Sequence, residues 1–324
     1  MKISVTGGTG FIGRHVVELL LEASHEVSCL VLPGENTERR SDRRLRFHSG
    51  SILEQDTLGP FLEGSDAVLH LAGLTSARDE RAFMAVNVEG TRNLLEAALK
   101  VATRPHVVLM SSLAAVGPCT GCEAHDESSP LRPITAYGRS KAALEDLVRG
   151  YGDRIAWTII RAPSVYGPGD RSFLHFFRLV SRGLRVVLRQ RSVVSLVYVR
   201  TLACAIIACI RDSRAYGNVF FIADEGTCDW DQLQTMIEEA LGARTIRICL
   251  PLWAVDVLAG LSEIGRRFLR RAPLLSRDKV LEMKQPRWVV STSKAERVLG
   301  FRPLVSTCRA LAETRDWYRR AEWL

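Results

Sequence analysis

A glycine-rich segment near the start of the chain most constrains its fold. Residues 6–13 read TGGTGFIG, directly after a short β-branched run at 3–5 and before a helical pattern. Glycines at this spacing permit a sharp strand-to-helix turn, close approach of the backbone to a pyrophosphate and tight packing of helix on strand. The helix would present free N–H groups and a positive dipole end to the phosphates. The segment therefore predicts a dinucleotide-binding turn.

The first half of the chain alternates strand-like and helix-like patterns. Strands that are apolar on both faces and separated by amphipathic helices form a parallel sheet covered on both sides. After residues 167–169 (GPG) this rhythm becomes less regular. We therefore predict an α/β fold in which a doubly wound parallel (Rossmann) sheet occupies residues 1–166 and a smaller substrate-binding domain occupies 167–324. The predicted strands lie at 3–5, 27–32, 66–72, 106–111 and 155–161, and the predicted helices at 13–24, 79–100 and 135–150.

Composition narrows the class of protein. The chain has 324 residues, 47% hydrophobic and 25% charged, which excludes a disordered or collagen-like protein. Eight cysteines are too sparse for a disulfide framework, and the N-terminus lacks the apolar stretch of a signal peptide, so we expect a cytoplasmic protein with reduced thiols. The apolar run 193–210 contains Arg200 and divides better into a strand and a helix than into a membrane span.

The net charge of +8 favours anionic ligands, and a phosphate-bearing cofactor would satisfy it. No nucleic-acid reader motif or aromatic interleaving accompanies the basic residues, so no nucleic-acid partner is expected. The pair Cys119 and Cys122, with His125 nearby, lacks a fourth ligand at structural-zinc spacing. We interpret these cysteines as loop thiols and predict no metal site.

The end of the second strand bears on the choice of nicotinamide cofactor. Residues 29–33 read CLVLP, with no acid in the position that usually binds the adenosine ribose hydroxyls. A basic cluster follows, formed by Arg39, Arg40, Arg43 and Arg44. An arginine here can pair with a ribose 2′-phosphate, which favours NADP over NAD and makes Arg39 a candidate contact. A solvated basic loop is the alternative interpretation.

A tyrosine–lysine pair lies on the predicted helix 135–150. Tyr137 and Lys141 are four residues apart and so share one helix face. A free tyrosine has a pKa of about 10, and a nearby ammonium favours its phenolate form. Such a pair can act as general acid and base on a carbonyl or an alcohol. The pair follows a long loop after the strand that ends in Ser111 and Ser112.

These motifs together resemble the extended short-chain dehydrogenase/reductase family, the NAD-dependent epimerase/dehydratase group. The resemblance implies that Ser112, with Ser111 as the near alternative, holds the substrate oxygen, that Tyr137 exchanges the proton and that Lys141 holds the nicotinamide ribose. It also implies a homodimer through helices at about 82–100 and 137–150. The matching segments are 6–13 (TGGTGFIG), 66–73 (DAVLHLAG), 87–98 (NVEGTRNLLEAA), 107–118 (VVLMSSLAAVGP), 126–141 (DESSPLRPITAYGRSK), 161–170 (RAPSVYGPGD), 299–303 (LGFRP) and 313–320 (ETRDWYRR).

The same resemblance implies a set of cofactor contacts. They are the turn residues Gly7, Thr9, Gly10, Phe11, Ile12 and Gly13, the strand-end residues Leu71, Ala72, Gly73, Pro163 and Val165, and the pair Tyr137 and Lys141.

Several reactions share this scaffold. The family's sugar dehydratases resemble one another in a Thr-Asp-Glu catalytic segment. Here Ser112 is followed by Leu113 and Ala114, with no carboxylate, so we discount dehydration. A nucleotide-sugar epimerase with tightly held cofactor stays open, because the two arginines within 189–196 can bind a diphosphate. A non-catalytic nucleotide-sensing protein is disfavoured by the intact serine, tyrosine and lysine.

The region 251–273 favours another reaction, the interconversion of an alcohol and a ketone. Trp253, Val257, Leu261, Ile264 and Phe268 form an apolar stripe that ends among four arginines. This layout resembles the 3β-hydroxysteroid dehydrogenase and dihydroflavonol reductase-like branches, whose substrates are large and apolar. We predict an oxidoreductase that interconverts a secondary alcohol and a ketone on such a substrate. Three interpretations of the stripe stay open. It packs on the core, it covers a lipidic pocket, or the segment 252–271 rests on a membrane surface.

Overall fold

The computed structural model describes residues 1–35, 37, 42–254, 256–257 and 277–324, apart from the side chains at 211 and 277. Its strands are β1 (Lys2–Thr6), β2 (Glu26–Val31), β3 (Leu45–Ser49), β4 (Ala67–His70), β5 (His106–Ser112), β6 (Trp157–Ala162), β7 (Ser164–Tyr166), β8 (Leu184–Leu188), β9 (Val193–Val194), β10 (Leu196–Tyr198), β11 (Asn218–Phe221), β12 (Cys228–Asp229), β13 (Ile246–Leu250) and β14 (Arg287–Trp288). Its α-helices are α1 (Phe11–Glu22), α2 (Gln55–Leu62), α3 (Glu80–Met84), α4 (Gly90–Lys100), α5 (Ala136–Arg149), α6 (Leu174–Ser181), α7 (Val199–Ala208), α8 (Trp230–Leu241), α9 (Arg277–Met283), α10 (Ser293–Leu299) and α11 (Thr307–Arg320).

A seven-stranded parallel sheet dominates the fold. Its strand order is β11-β6-β5-β4-β1-β2-β3, and every neighbouring pair runs parallel. The order reverses between β1 and β4, the position at which ligands bind in doubly wound sheets. The predicted α/β fold with a Rossmann sheet is confirmed.

Continuous apolar runs form the central strands because both faces of the sheet are covered. Leu69 and Val108 pack into a core on one face, together with side chains of α1 and α7. Val68 and Leu109, their neighbours in sequence, pack into a separate core with α2, α4 and α5. Successive strand residues point to opposite faces, so each face of a buried parallel strand needs its own apolar set.

A strand from beyond residue 166 completes the sheet. β11 pairs with β6, with Phe220 opposite Ile160 and Phe221 opposite Arg161. Helix α7 also lies in the core shared with α1. Without β11 the outer edge of β6 would present unpaired backbone groups. The sheet therefore draws on both sides of the predicted 166/167 boundary, and β11 belongs to the sheet rather than to the smaller domain.

The rest of the chain after 166 forms short strand pairs around an aromatic core. The sheets are β10-β7, β12-β9-β14 and β13-β8. Tyr166, Phe177, Tyr198 and Tyr318 are fully or almost fully buried in this core. The apolar run 193–210 divides into β9, β10 and α7, close to the predicted strand and helix. None of the helices that the structure describes is long and apolar enough to cross a membrane.

Candidate active site

The glycine turn joins β1 to α1 through very close backbone contacts. Gly7 has φ +71°, and a Cβ there would lie 2.7 Å from the amide N of Ala72. A Cβ at Gly13 would lie 2.0 Å from the carbonyl O of Gly7. Gly10, the N-cap of α1, brings no side chain to the first turn of the helix. The amide groups at this helix end therefore face an open position suited to a pyrophosphate.

A buried histidine ties this turn to its neighbours. His70 Nδ1 is 2.7 Å from Thr6 Oγ1, and His70 Nε2 is 2.9 Å from Thr91 Oγ1. Thr6 Oγ1 also accepts a hydrogen bond from the amide of Ala72. Burial, with a smaller contribution from Lys141, lowers the pKa of His70 to about 3. The imidazole is therefore neutral at physiological pH and links β1, β4 and α4 behind the turn.

The predicted serine, tyrosine and lysine meet at the carboxyl end of β5. The hydroxyl of Ser112 lies close to the Tyr137 phenol and favours its ionised form, which lowers the tyrosine pKa. Lys141 Nζ donates a 2.8 Å hydrogen bond to the carbonyl O of Met110. Thr135 caps the helix by accepting from the amide of Gly138, at 3.1 Å. The predicted helix 135–150 is confirmed as α5, and its first turns place both side chains beside the strand end.

Close packing fixes how α5 approaches that strand end. A Cβ at Gly138 would lie 2.3 Å from the carbonyl O of Ala114, in the short 3₁₀ turn that follows Ser112. Ser112 Oγ accepts from the amide of Ala114 at 3.1 Å, which orients the serine side chain within the same turn. The ring of Phe83 packs against Tyr137, with ring centroids 5.9 Å apart. The tyrosine is thus held from two sides.

The two candidate serines have different surroundings. Ser111 is buried, and its hydroxyl donates to Glu145 Oε1 at 2.6 Å. Ser112 is only half-buried, and its hydroxyl lies close enough to Tyr137 to lower the pKa of the phenol. Neighbouring strand residues point to opposite faces, so only one of the two serines can face the tyrosine. That residue is Ser112.

Burial has the largest effect on the pKa values of Tyr137 and Lys141. It raises the pKa of Tyr137 to about 12; the nearby Ser112 hydroxyl opposes this shift and the charge of Glu282 adds to it. Burial lowers the pKa of Lys141 to about 8, and the carboxylate of Glu145 opposes that shift. At neutral pH the phenol is therefore protonated, and the ammonium persists with a narrow margin.

An asparagine behind Lys141 organises the adjoining loop. Asn87 lies in a π-helical turn (Ala85–Glu89), and its Oδ1 accepts from the amide of Leu74 at 2.8 Å. Its Nδ2 donates to Ser140 Oγ at 2.9 Å. A Cβ at Gly73 would lie 3.0 Å from Asn87 Oδ1 and 3.4 Å from Lys141 Nζ. A side chain at Gly73 would therefore require small shifts of Asn87 and Lys141.

The remaining predicted cofactor contacts lie along one sheet edge. Leu71, Ala72 and Gly73 follow β4, and Pro163 follows β6. Val165 packs with Phe11 and Ile12 against the aromatic core, while Thr9 and Gly10 stay at the surface of the turn. Carboxyl ends of parallel strands meet at the same edge, where doubly wound folds bind their ligands. The residues present fit a bound dinucleotide at this edge.

A glutamate side chain folds back to the end of β2. Leu32 follows β2, and its amide donates to Glu35 Oε2 at 3.2 Å. The sequence prediction of no acid at this strand end took no account of this turn, which folds the glutamate back. Arg39 and Arg40 lie outside the described residues, Arg43 is exposed, and Arg44 forms a 2.9 Å ion pair with Asp42.

Two other predicted features stand apart from this site. Cys119 Sγ donates to the carbonyl O of Val289, and Cys122 is exposed. Within the described ranges no group of three or more His, Cys, Asp or Glu side chains is arranged to hold a metal ion. Trp253 and Val257 of the apolar stripe are exposed, whereas the stripe positions 261, 264 and 268 and the four arginines lie outside the described residues.

A parallel sheet with a glycine turn at its switch point, and a serine, tyrosine and lysine at a strand end, define a dinucleotide-binding enzyme class, the extended short-chain dehydrogenases/reductases. The sequence profile of the NAD dependent epimerase/dehydratase family matches residues 3–223, and the chain belongs to this family. The resemblance to this family that the sequence motifs indicated is confirmed.

Relatives and structures with different activities resemble the chain over nearly its full length. It is 28% identical to a ceramide reductase of Caulobacter vibrioides, over 99% of this chain and 96% of that protein. It is 29% identical to a 3 beta-hydroxysteroid dehydrogenase/Delta 5→4-isomerase of Mycobacterium tuberculosis, over 98% and 90%. A dTDP-glucose 4,6-dehydratase of Streptomyces venezuelae, crystallised with NAD, superposes with a TM-score of 0.80 at 25% identity, covering 100% of this chain and 98% of that one.

Proposed function

We propose that this protein is an NAD(P)-dependent oxidoreductase that interconverts a secondary alcohol and a ketone on a bulky, largely apolar substrate. The observation that carries the proposal is the placement of Ser112, Tyr137 and Lys141 together at the carboxyl end of β5, at the sheet edge where doubly wound folds bind dinucleotides. A hydroxyl pair of this kind can bind one carbonyl oxygen and supply its proton.

In the direction of ketone reduction, each residue has a separate task. Ser112 Oγ holds the carbonyl oxygen, and the Tyr137 phenol, protonated at neutral pH, donates its proton to the alkoxide. The ammonium of Lys141, one helical turn beyond Tyr137, stabilises the phenolate left by that transfer. The nicotinamide cofactor, when bound, supplies the hydride.

The sequence after the serine supports a redox reaction over elimination. Leu113 and Ala114 are buried apolar residues, so this turn provides no carboxylate to remove a proton from substrate carbon. Two of the relatives described above are named for a lipid and a steroid substrate, which favours the apolar substrate class. A nucleotide-sugar epimerase is the second candidate, because it needs the same three residues and the family profile includes such enzymes.

A substrate panel separates the two candidates and fixes the cofactor. The purified protein is assayed with NADPH and NADH separately, against long-chain and sterol-like ketones and against nucleotide sugars. We expect oxidation of the cofactor with an apolar ketone and a higher kcat/KM with NADPH. The basic residues that follow β2 favour NADPH, whereas Glu35 beside Leu32 favours NADH. Turnover with NADH alone would contradict the cofactor preference.

We also propose that an anionic membrane surface receives the segment 252–271. Trp253 is 67% exposed, Val257 is 52% exposed, and the nearby strand residue Ile246 is 72% exposed. The sequence of the segment ends in four arginines, which complement anionic headgroups. A lipidic substrate would then enter from the bilayer. The homodimer through α4 and α5 stays a prediction.

Vesicle sedimentation tests the membrane contact. We expect the protein to pellet with phosphatidylglycerol vesicles and to stay in solution with phosphatidylcholine vesicles. Replacing Trp253 and Val257 with Ser should weaken binding about tenfold or more, since each buried apolar side chain contributes about 1.5–3 kcal/mol. Leu304→Ser, at an equally exposed leucine outside the segment, is the matched control. Equal binding by the double variant and the wild type would refute the proposal.

A further inference from the structure

A buried carboxylate on helix α5 has every acceptor position occupied. Glu145 is fully buried, and its Oε1 accepts from Ser111 Oγ at 2.6 Å and from Arg161 Nε at 2.9 Å. Its Oε2 accepts from Arg161 Nη2 at 2.8 Å and from Arg149 Nη2 at 2.9 Å. A carboxylate withdrawn from water is stable only when paired and hydrogen-bonded in this way. The cluster of Glu145, Arg161 and Ser111 is called the carboxylate clamp below.

The clamp lies on the same helix face as the reacting groups. Tyr137, Lys141 and Glu145 follow one another at four-residue spacing, so they form one stripe along α5. This stripe faces the end of β5. The clamp is thus one helical turn beyond Lys141 and two turns beyond Tyr137.

Ser111 connects the carboxylate clamp to its two sequence neighbours, Met110 and Ser112. It stands between Met110, whose carbonyl O accepts from Lys141, and Ser112, whose hydroxyl lies close to Tyr137. It is also the register partner of Arg161 on β6. A shift of Ser111 relative to α5 would therefore move Met110 and Ser112 together.

We propose that Glu145 is a positioning residue, which through Ser111 and Arg161 fixes the end of β5 against α5 and so aligns Ser112, Tyr137 and Lys141. This inference rests on the proposed function, because it assigns these three residues the reaction. It also gives the burial of the charge a purpose, since a packed apolar side chain could replace a merely structural ion pair.

The charge of Glu145 has a second consequence at Lys141. Burial depresses the pKa of Lys141 to about 8, and the Glu145 carboxylate works against that depression. The titratable and charged groups around Lys141 are Tyr137 on its own helix, His70 on β4, and Glu145 with Arg161 from β6 behind it. His70 is neutral, so within this set the Glu145 carboxylate is the group that favours the protonated form of Lys141. The ammonium is lost as pH rises through about 8.

Two variants test the clamp. Ser111→Ala removes one hydroxyl and leaves the ion pair intact; we expect kcat to fall about tenfold or more, as for slightly misaligned reacting groups, with KM nearly unchanged. Glu145→Gln keeps the shape and removes the charge; we expect the alkaline limb of the kcat profile to move about one unit to lower pH. Asp146→Asn, at the exposed neighbouring carboxylate, is the matched control and should change neither.

A measurement without turnover separates this inference from the proposed function. The chain has six lysines, so the Cε resonance of Lys141 can be assigned by its absence in Lys141→Arg and titrated by NMR. We expect a pKa of about 8 in the wild type and a lower one in Glu145→Gln. Activity is measured on whichever substrate of the panel the wild type turns over. Unchanged kcat in Ser111→Ala, or the same Lys141 pKa in Glu145→Gln as in the wild type, would overturn the clamp. A wild type inactive on every substrate would instead count against the proposed function.

Discussion

Tyr137→Phe is expected to lower kcat by about 10²–10⁴-fold while leaving the fold and nucleotide binding intact. The substitution removes only the phenolic hydroxyl, which lies close to Ser112. The ring can stay in place, because it packs against Phe83 and the helix around it is fixed by Thr135 and Gly138. Steady-state kinetics with the substrate found in the panel, together with a cofactor titration, measure both expectations.

Tyr151→Phe is the matched control for this prediction. Its hydroxyl donates to Glu96 at 2.7 Å, away from Ser112 and Lys141, so the loss of that hydroxyl should leave kcat unchanged. If Tyr137→Phe retained wild-type kcat, another group would have to move the proton, and the proposed role of the tyrosine would be wrong.

Gly13→Ala is expected to abolish nucleotide binding and to destabilise the protein. Alanine is normally favoured over glycine inside a helix by about 0.5–1 kcal/mol. Here the added Cβ would lie 2.0 Å from the carbonyl O of Gly7, which is backbone and cannot rotate away. Overpacking of this kind costs about 1–3 kcal/mol or more, and relief requires the turn to open. Thermal unfolding and a cofactor titration monitor the two effects.

Gly59→Ala provides the comparison. Gly59 lies within helix α2, and a Cβ there would meet nothing within 4 Å. Pro60 follows Gly59 and disfavours helical backbone at a preceding Ala, which offsets the usual gain, so the substitution should change the free energy of unfolding little and leave cofactor affinity unchanged. If Gly13→Ala behaved like Gly59→Ala, the close contact at Gly7 would not be a requirement of the site.

Local patterns were sufficient to predict the frame of the site. The glycine turn at 6–13, the doubly apolar strands and the spacing of Tyr137 and Lys141 each express a short-range rule of backbone geometry. The structure places all three as expected, with α1 directly after the turn and α5 beside the end of β5.

Local patterns do not determine the features that depend on long-range contacts, and the preference for Ser112 over Ser111 came from the family resemblance alone. Strand alternation separates Ser111 from Ser112 but does not say which one faces the tyrosine; that choice depends on Glu145, more than 30 residues away. Buried ion pairs are rare, so a lone Glu145 or Arg161 in the sequence suggests a surface charge. The return of β11 to the edge of β6 depends on an unpaired strand edge, which no local pattern expresses.

The most direct test of the central claim follows a labelled hydride. The protein is incubated with nicotinamide cofactor that carries deuterium at its transferable position, together with the apolar ketone identified in the panel. We expect an alcohol that carries one deuterium and one equivalent of oxidised cofactor per alcohol, with both formed about 10²–10⁴-fold more slowly by Tyr137→Phe. Interconversion of a nucleotide sugar without net cofactor oxidation, and no reduction of any apolar ketone, would contradict it.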